Sequence, residues 1–326
     1  MYDVIGDIHG HAAELRLLLD RLGYAESNGI FRHPTRQALF LGDFIDRGPA
    51  IREVLTIVRN MVEAGAARAV MGNHEFNALC YATPDPAAPG EFLRPHNEHN
   101  VHQHRATMHQ FAGDPAWSDW LNWFRTLPVF LELDGLRCIH ACWHPHSLQE
   151  IGRALSAHGT MTAAFLEQAT AKRTPLFDAI EIALKGIDVR LPEGVHYHDK
   201  DGHLRRRVRL QWYRSPHNQT WRSYTISVHP EEMPDTLFPA VDYPDLEPYA
   251  VDAPPVFFGH YWLSPGEVVS PTPRAPNAAC LDYSVARGGQ LVAYRWDGEQ
   301  ILSPDKFVAV PAHHRETPRT VDPVTS

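Results

Sequence analysis

The chain has little of what marks a protein for export, membrane insertion or nucleic-acid binding. Four cysteines, Cys80, Cys138, Cys142 and Cys280, are scattered over 326 residues. Four in so large a chain are not a disulfide framework, so a reducing cytoplasm is the expected compartment. No apolar run approaches the roughly 20 residues needed to cross a bilayer, and no membrane partner is expected. Met1 leads directly into Tyr2-Asp3-Val4-Ile5, without the basic and apolar regions of a signal peptide. Positive charge is also in short supply. With 30 Lys and Arg against 39 Asp and Glu the net charge is -9, and the overall field repels polyanions. A long nucleic-acid partner is therefore not expected, and any anionic ligand must be attracted locally.

What is present is a repeated unit of apolar strand, glycine turn, polar cluster and helix. Val4-Ile5 ends at Gly6, and Leu15, Leu18, Leu19 and Leu22 follow at helical spacing up to Gly23. Ala38-Leu39-Phe40-Leu41 ends at Gly42, ahead of a second amphipathic helix carried by Ile51, Val54, Leu55, Val58 and Val62. Ala69-Val70-Met71 reads as a third strand ending at Gly72. This alternation predicts an α/β core. Trp117 to Thr126 reads as a helix stopped by Pro128, with Trp117, Trp120 and Trp123 as its core residues. Asp134-Gly135, between two apolar runs, predicts a two-residue hairpin. Residues 148–185 are helical but weakly periodic, 187–227 basic and aromatic, and 229–255 rich in proline and acid, as in a loop-like connection. Val256-Phe257-Phe258 before Gly259 and Leu291-Val292-Ala293-Tyr294 read as late strands. With 44% hydrophobic residues the expectation is one large domain over 1–310, an insertion at about 148–255, and a disordered polar tail at 311–326.

The chemistry-bearing residues sit where the strands end. Asp7 and His9 follow the first strand, Asp43, Asp46 and Arg47 the second, and Asn73, His74 and Glu75 the third. His140 ends the strand after the Asp134-Gly135 hairpin, and His260 follows Gly259. Ligands of open α/β sheets gather outside the carboxyl ends of strands, so these clusters are expected to converge. Carboxylates and imidazoles suit first-row divalent metals, and one carboxylate can bridge two ions. Two ions ~3.5–4 Å apart can clamp a phosphoryl group and lower the pKa of a water between them. Their charge would also give an acidic protein a local attraction for phosphate.

In order and spacing, the segments GDIHG (6–10), GDFIDRG (42–48) and GNHE (72–75) resemble the calcineurin-like metallophosphoesterases. They are most similar to the phosphoprotein phosphatase branch, which includes bacterial diadenosine-tetraphosphate hydrolases. The resemblance implies a sandwich of two β-sheets flanked by helices and two divalent metal ions, Mn²⁺ first, with Fe, Zn, Co or Ni as alternatives. It implies that Asp7 and His9 bind one metal, that Asp43 bridges both, and that Asn73, His140 and His260 bind the other. It further implies that Arg47 grips phosphate oxygens and that His74, oriented by Asp46, protonates the leaving oxygen. The attacking group would be a hydroxide held by the two metals. The implied activity is hydrolysis of a phosphate monoester, in a phosphorylated small molecule, nucleotide or phosphoprotein. An alternative is symmetrical hydrolysis of diadenosine tetraphosphate or another nucleoside polyphosphate. A non-catalytic phosphate-binding regulator is a third reading, which retention of the ligands, Arg47 and His74 argues against. The chain departs from the branch in two places. His140-Ala141-Cys142-Trp143 stands where His-Gly-Gly is usual, and the usual second phosphate-binding arginine could be Arg209, Arg214 or Arg222.

Other features have plainer readings. His96, His99, His102, His104 and His109 fit one solvated helix face better than a metal site, although the segment could overhang the site as a lid. Cys138 and Cys142 lack the paired spacing of structural zinc ligands and are read as core thiols. Arg205-Arg206-Arg207-Val208-Arg209 is read as a solvated strand. The nearby Trp212, Tyr213 and Trp221 keep open a base-stacking platform for a nucleotide.

Overall fold

Alternate residues of the first strand, Tyr2–Ile5, belong to two different cores: Val4 joins one and Ile5 the other. The next strand, Gln37–Phe40, behaves alike, with Leu39 beside Val4's core and Ala38 and Phe40 in Ile5's. A strand buried on both faces needs a layer on each side. The computed structural model, which describes residues 1–198, 202–244, 246–264 and 267–313, supplies both.

In the first sheet Tyr2–Ile5, Gln37–Phe40 and Ala67–Ala69 run parallel, and Gln290–Trp296 lies antiparallel beside Tyr2–Ile5. Asp282–Tyr283 and Phe307–Pro311 both pair with Gln290–Trp296, giving six strands. The second sheet has four strands in the order Ala278–Cys280, Val256–Phe258, Leu136–Ile139, Phe130–Leu133. Its last two form the expected hairpin, with Leu133 paired to Leu136. Between the sheets Val4, Leu39 and Leu41 meet Leu136, Cys138 and Phe257, each essentially fully buried. Full burial of such a side chain contributes about 1.5–3 kcal/mol. Outside the sheets pack α1 (Ala12–Arg21), α2 (Ile51–Glu63), α3 (Asn73–Ala82), α4 (Glu98–Phe111) and α5 (Trp117–Phe124). The fold is an α/β sandwich of two sheets flanked by helices. Among the described residues no helix is long and apolar enough to cross a membrane.

Residues 148–255 begin inside α6 (Pro145–His158), followed by α7 (Ala163–Thr170) and α8 (Pro175–Lys185). His144, Thr162 and Thr174 cap these helices by accepting from backbone N–H groups. A small sheet of Asp188–Arg190, Arg207–Leu210 and Thr225–Ile226 follows, with its own core around Val208, Trp221, Tyr224 and Phe238.

Three expectations need correction. The third strand is Ala67–Ala69, not 69–71: Val70 N–H still donates to Phe40 O at 2.9 Å, but Met71 N–H turns to Pro128 O at 2.8 Å. The platform aromatics are interior: Trp212 and Tyr213 pack on Phe258 at 5.0 and 5.5 Å, and Trp221 on Phe238 at 4.9 Å. All three are at most 4% exposed, so no base can stack on them. The tail does not begin at 311. Pro311 ends a paired strand, Ala312 N–H donates to Gly289 O at 2.8 Å, and His313 N–H donates to Glu14 at 2.9 Å. The remainder of that expected tail, 314–326, lies outside the described residues.

Candidate metal centre and active site

The parallel strands of the two sheets end on one edge, and the loops leaving them bring the ligand candidates together. Two triplets of ligand atoms lie within 4.8 Å of one another: His9, Asp43 and His74, and Asp43, His140 and His260. Asp43 is common to both. Its Oδ2 is 3.5 Å from His9 Nε2, and its Oδ1 is 3.4 Å from His140 Nε2. Asn73 Oδ1 joins the second group, 3.0 Å from His140 Nε2 and 2.8 Å from His260 Nδ1. Asp7 belongs to neither triplet, where His74 stands instead. It lies beside them, accepting from His260 N–H at 3.0 Å through Oδ2 while its buried Oδ1 has no hydrogen-bond partner among the described residues.

Hydrogen bonds on the far side of two candidate ligands fix which atom faces inward. His9 Nδ1 donates to Ile45 O at 2.9 Å and His140 Nδ1 to Leu41 O at 2.7 Å, so both rings present Nε2. The buried Glu75 carboxylate accepts from the backbone N–H groups of Asp43, Phe44, Ile45 and Gly72 at 2.8–3.3 Å. That locks the second-strand loop against the first turn of α3. Two glycines permit the close approach. A Cβ on Gly42 would overlap the backbone of Gly72, and one on Gly259 would overlap Asp7 Oδ1.

The electrostatics suit a bound cation. Burial, then the Asp282 carboxylate, pushes Asp7 well above the usual carboxylate range. Burial also disfavours the Asp43 anion, yet His140 and His74 outweigh it and hold Asp43 well below that range. Burial opposes protonation of His140, but Asp43 raises it to about 10. Buried carboxylates crowded this way are stabilised by cations, and the carboxylate, imidazole and amide donors suit divalent first-row ions. The fit is good.

Beside the ligands lies a second arrangement. His74 Nδ1 is 2.5 Å from Asp46 Oδ2, which leaves His74 Nε2 facing the centre, 3.3 Å from Arg47 Nη2. The Arg47 guanidinium lies 3.9 Å above the Trp262 ring, a cation–π contact. On its other oxygen Asp46 is held from α4, by His104 Nδ1 at 2.8 Å and Thr107 Oγ1 at 2.5 Å. Burial opposes ionisation of Asp46, but His104 and then His74 hold it below the usual range.

His104 is therefore not on a solvated face; it is buried, as is Thr107, while His99, His102 and His109 are exposed. Residue spacing alone could have placed His104 and Thr107 on one helix face, but not against Asp46. The three arginines considered as second phosphate ligands are engaged by the insertion. Arg209 donates to Lys185 O at 2.7 Å, Arg214 to Gln211 Oε1 at 3.2 Å, and Arg222 to Met233 O at 3.3 Å. Arg287, past the last ligand and outside any motif, instead lies 5.9 Å from the Trp262 ring and lines one cavity with Arg47 and His74.

Strand-end ligands, a carboxylate shared by two triplets and an Asp–His pair beside an arginine define a metallophosphoesterase centre. The family model of the calcineurin-like phosphoesterases matches residues 2–261, and the chain belongs to that family. Over 74 residues, 22% of the chain, it is 46% identical to the asymmetrical bis(5'-nucleosyl)-tetraphosphatase of Halalkalibacterium halodurans, covering 30% of that relative. Over 153 residues it is 31% identical to the symmetrical bis(5'-nucleosyl)-tetraphosphatase of Aromatoleum aromaticum, covering 47% of the chain and 48% of that relative. The chain thus spans half or less of the length of these relatives. A solved cold-active protein tyrosine phosphatase, 14% identical, matches with a TM-score of 0.51 over 90% of this chain and 73% of that one, a likeness of fold alone.

Proposed function

We propose that the protein hydrolyses phosphate esters at a centre of two divalent metal ions held by Asp7, His9, Asp43, Asn73, His140 and His260. The observation that carries this reading is Asp43, whose two oxygens face separate ligand groups. When bound, the ions would neutralise phosphate charge and activate a water. The remaining chemistry is the chain's own. Arg47 offers a planar, permanently charged fork to phosphate oxygens, and its stacking on Trp262 holds that fork beside His74. His74, with Nδ1 tied to Asp46, directs Nε2 toward the leaving oxygen and donates the proton it needs. Mn²⁺ is our first choice of metal. Mg²⁺ fits less well, because it prefers oxygen donors and keeps its waters.

We read residues 1–310 as one catalytic unit with 148–255 inserted between His140 and His260. Four buried free thiols suit a reducing compartment, and we place the activity in the cytoplasm. The primary substrate reading is a phosphate monoester. A nucleoside polyphosphate is the second, favoured by the relatives' names and by a cavity beside Arg47 larger than one phosphoryl group. Chelation should abolish hydrolysis of p-nitrophenyl phosphate, and Mn²⁺ or a similar ion should restore it. Full activity in protein shown by elemental analysis to be metal-free would reject the mechanism.

A further inference from the structure

The space over the centre is far larger than one phosphoryl group requires. A cavity of about 890 Å³ opens beside Arg47 and His74, at the upper end of the range for small-molecule sites. One wall is α4, and the helical period divides that helix in two. His104, Thr107 and Phe111 are buried, and the first two are bonded to Asp46. Glu98, His102 and Arg105, spaced i, i+4, i+7, face the cavity. The wall is therefore tied to the loop that carries Asp46, the partner of His74. Arg287 lines the cavity from outside α4, and the rings of His99 and His203, 5.5 Å apart edge to face, join α4 to the insertion.

The charge of this space is opposite to that of the protein. Among the described residues that line it, Arg47, Arg105 and Arg287 carry permanent positive charge against one carboxylate, Glu98, in a chain of net charge -9. Such a local reversal attracts anions. Arg47 lies next to the metal ligands and serves the phosphate being cleaved. Arg105 lines the same cavity from α4, with the same planar fork for phosphate oxygens.

We propose that His102 and Arg105 form a second anion site, which receives a phosphate of the substrate other than the one cleaved at Asp43. This rests on the phosphoesterase reading and narrows it to substrates carrying a chain of phosphates, with the organic group further out in the cavity.

The test compares orthophosphate with inorganic tripolyphosphate as inhibitors of p-nitrophenyl phosphate hydrolysis by the full chain at fixed excess Mn²⁺. The wild-type chain should favour tripolyphosphate by about tenfold or more, the effect of one charge-assisted hydrogen bond. Arg105→Ala and His102→Ala should each shrink that preference several-fold, and Arg105→Lys should keep part of it, since it retains charge without the fork. Chelation of the metal by tripolyphosphate acts alike on wild type and variants, so the difference between them reports the site. An Arg105→Ala protein with the wild-type preference, or a wild-type chain with none, overturns the proposal. If the metal-loaded chain hydrolyses no phosphate ester, the phosphoesterase reading fails instead. Calorimetric titration with tripolyphosphate then still decides the second site, through loss of binding in Arg105→Ala.

Discussion

Replacing His104 with leucine isolates the positioning of the acid from the acid itself. The His104 ring is buried, 6% exposed, and donates to Asp46 Oδ1 at 2.8 Å. Leucine fills similar space between Tyr81 and Trp117 and removes the polar contact with Asp46. Such a bond to a charged group contributes ~1.5–3 kcal/mol, which corresponds to roughly tenfold to a hundredfold if it were lost wholly from the transition state. Thr107 still holds the same oxygen at 2.5 Å, so the loss in kcat should fall at the lower end, about tenfold. His74→Asn removes the donor and should cost ~10²–10⁴-fold. Both losses should shrink when the leaving group needs little protonation. The assay is therefore kcat on phenyl phosphate against p-nitrophenyl phosphate, with metal content measured on the same samples. Equal loss on both substrates, or loss of metal with either variant, would refute the role given to this chain of residues.

Asp43→Asn should lower both metal occupancy and activity, because it removes the charge common to both ligand groups; elemental analysis after dialysis with normal occupancy would contradict the bridging assignment. Gly259→Ala should cost metal affinity as well as stability, since the new Cβ would displace Asp7 Oδ1; isothermal titration with Mn²⁺ reads the first and thermal unfolding the second. Trp212→Ala should destabilise the fold by about 3–5 kcal/mol, with parallel losses on small and large substrates. A denaturant melt and a two-substrate assay check this, and a selective rise in KM for a nucleotide would revive the stacking platform.

The convergence of the candidate ligands was legible because each one follows a short apolar strand, most of them through a glycine, so local pattern alone puts it at a strand end. Five such clusters in an α/β chain have one place to meet. The partnership of Asp46 with His104 was not legible in that way. The two residues are 58 positions apart, and the histidine spacing in 96–109 defines a helix face without saying which face is buried. That is settled only when α4 packs against the Asp46 loop. Trp212 shows the converse. Aromatic density near arginines reads the same for a core and for a ligand platform, and only its packing on Phe258 separates them. Composition misled again at 311, where a polar, proline-containing stretch still begins with a strand edge paired to Gln290.

The backbone itself carries a mark of function that no motif encodes. His9, Asp43, Asp46, Arg47 and His260 all adopt left-handed conformations, with φ between 47° and 72°. None is glycine, and each such residue costs of order 1–3 kcal/mol where the surroundings do not impose it. Glycine at any of them would relax the backbone, but it would remove a side chain to which we assign a role as metal ligand, partner of the acid or phosphate grip. The fold meets the cost by fixing the neighbouring main chain first, through the four N–H groups on Glu75 and the His9 and His140 rings on Ile45 and Leu41 carbonyls. Those bonds leave Asp7 Oδ1 and His9 Nε2 buried without a hydrogen-bond partner among the described residues. Backbone strain at five residues and the unpartnered Asp7 Oδ1 and His9 Nε2 lie together at the strand ends, as suits the proposed cation centre.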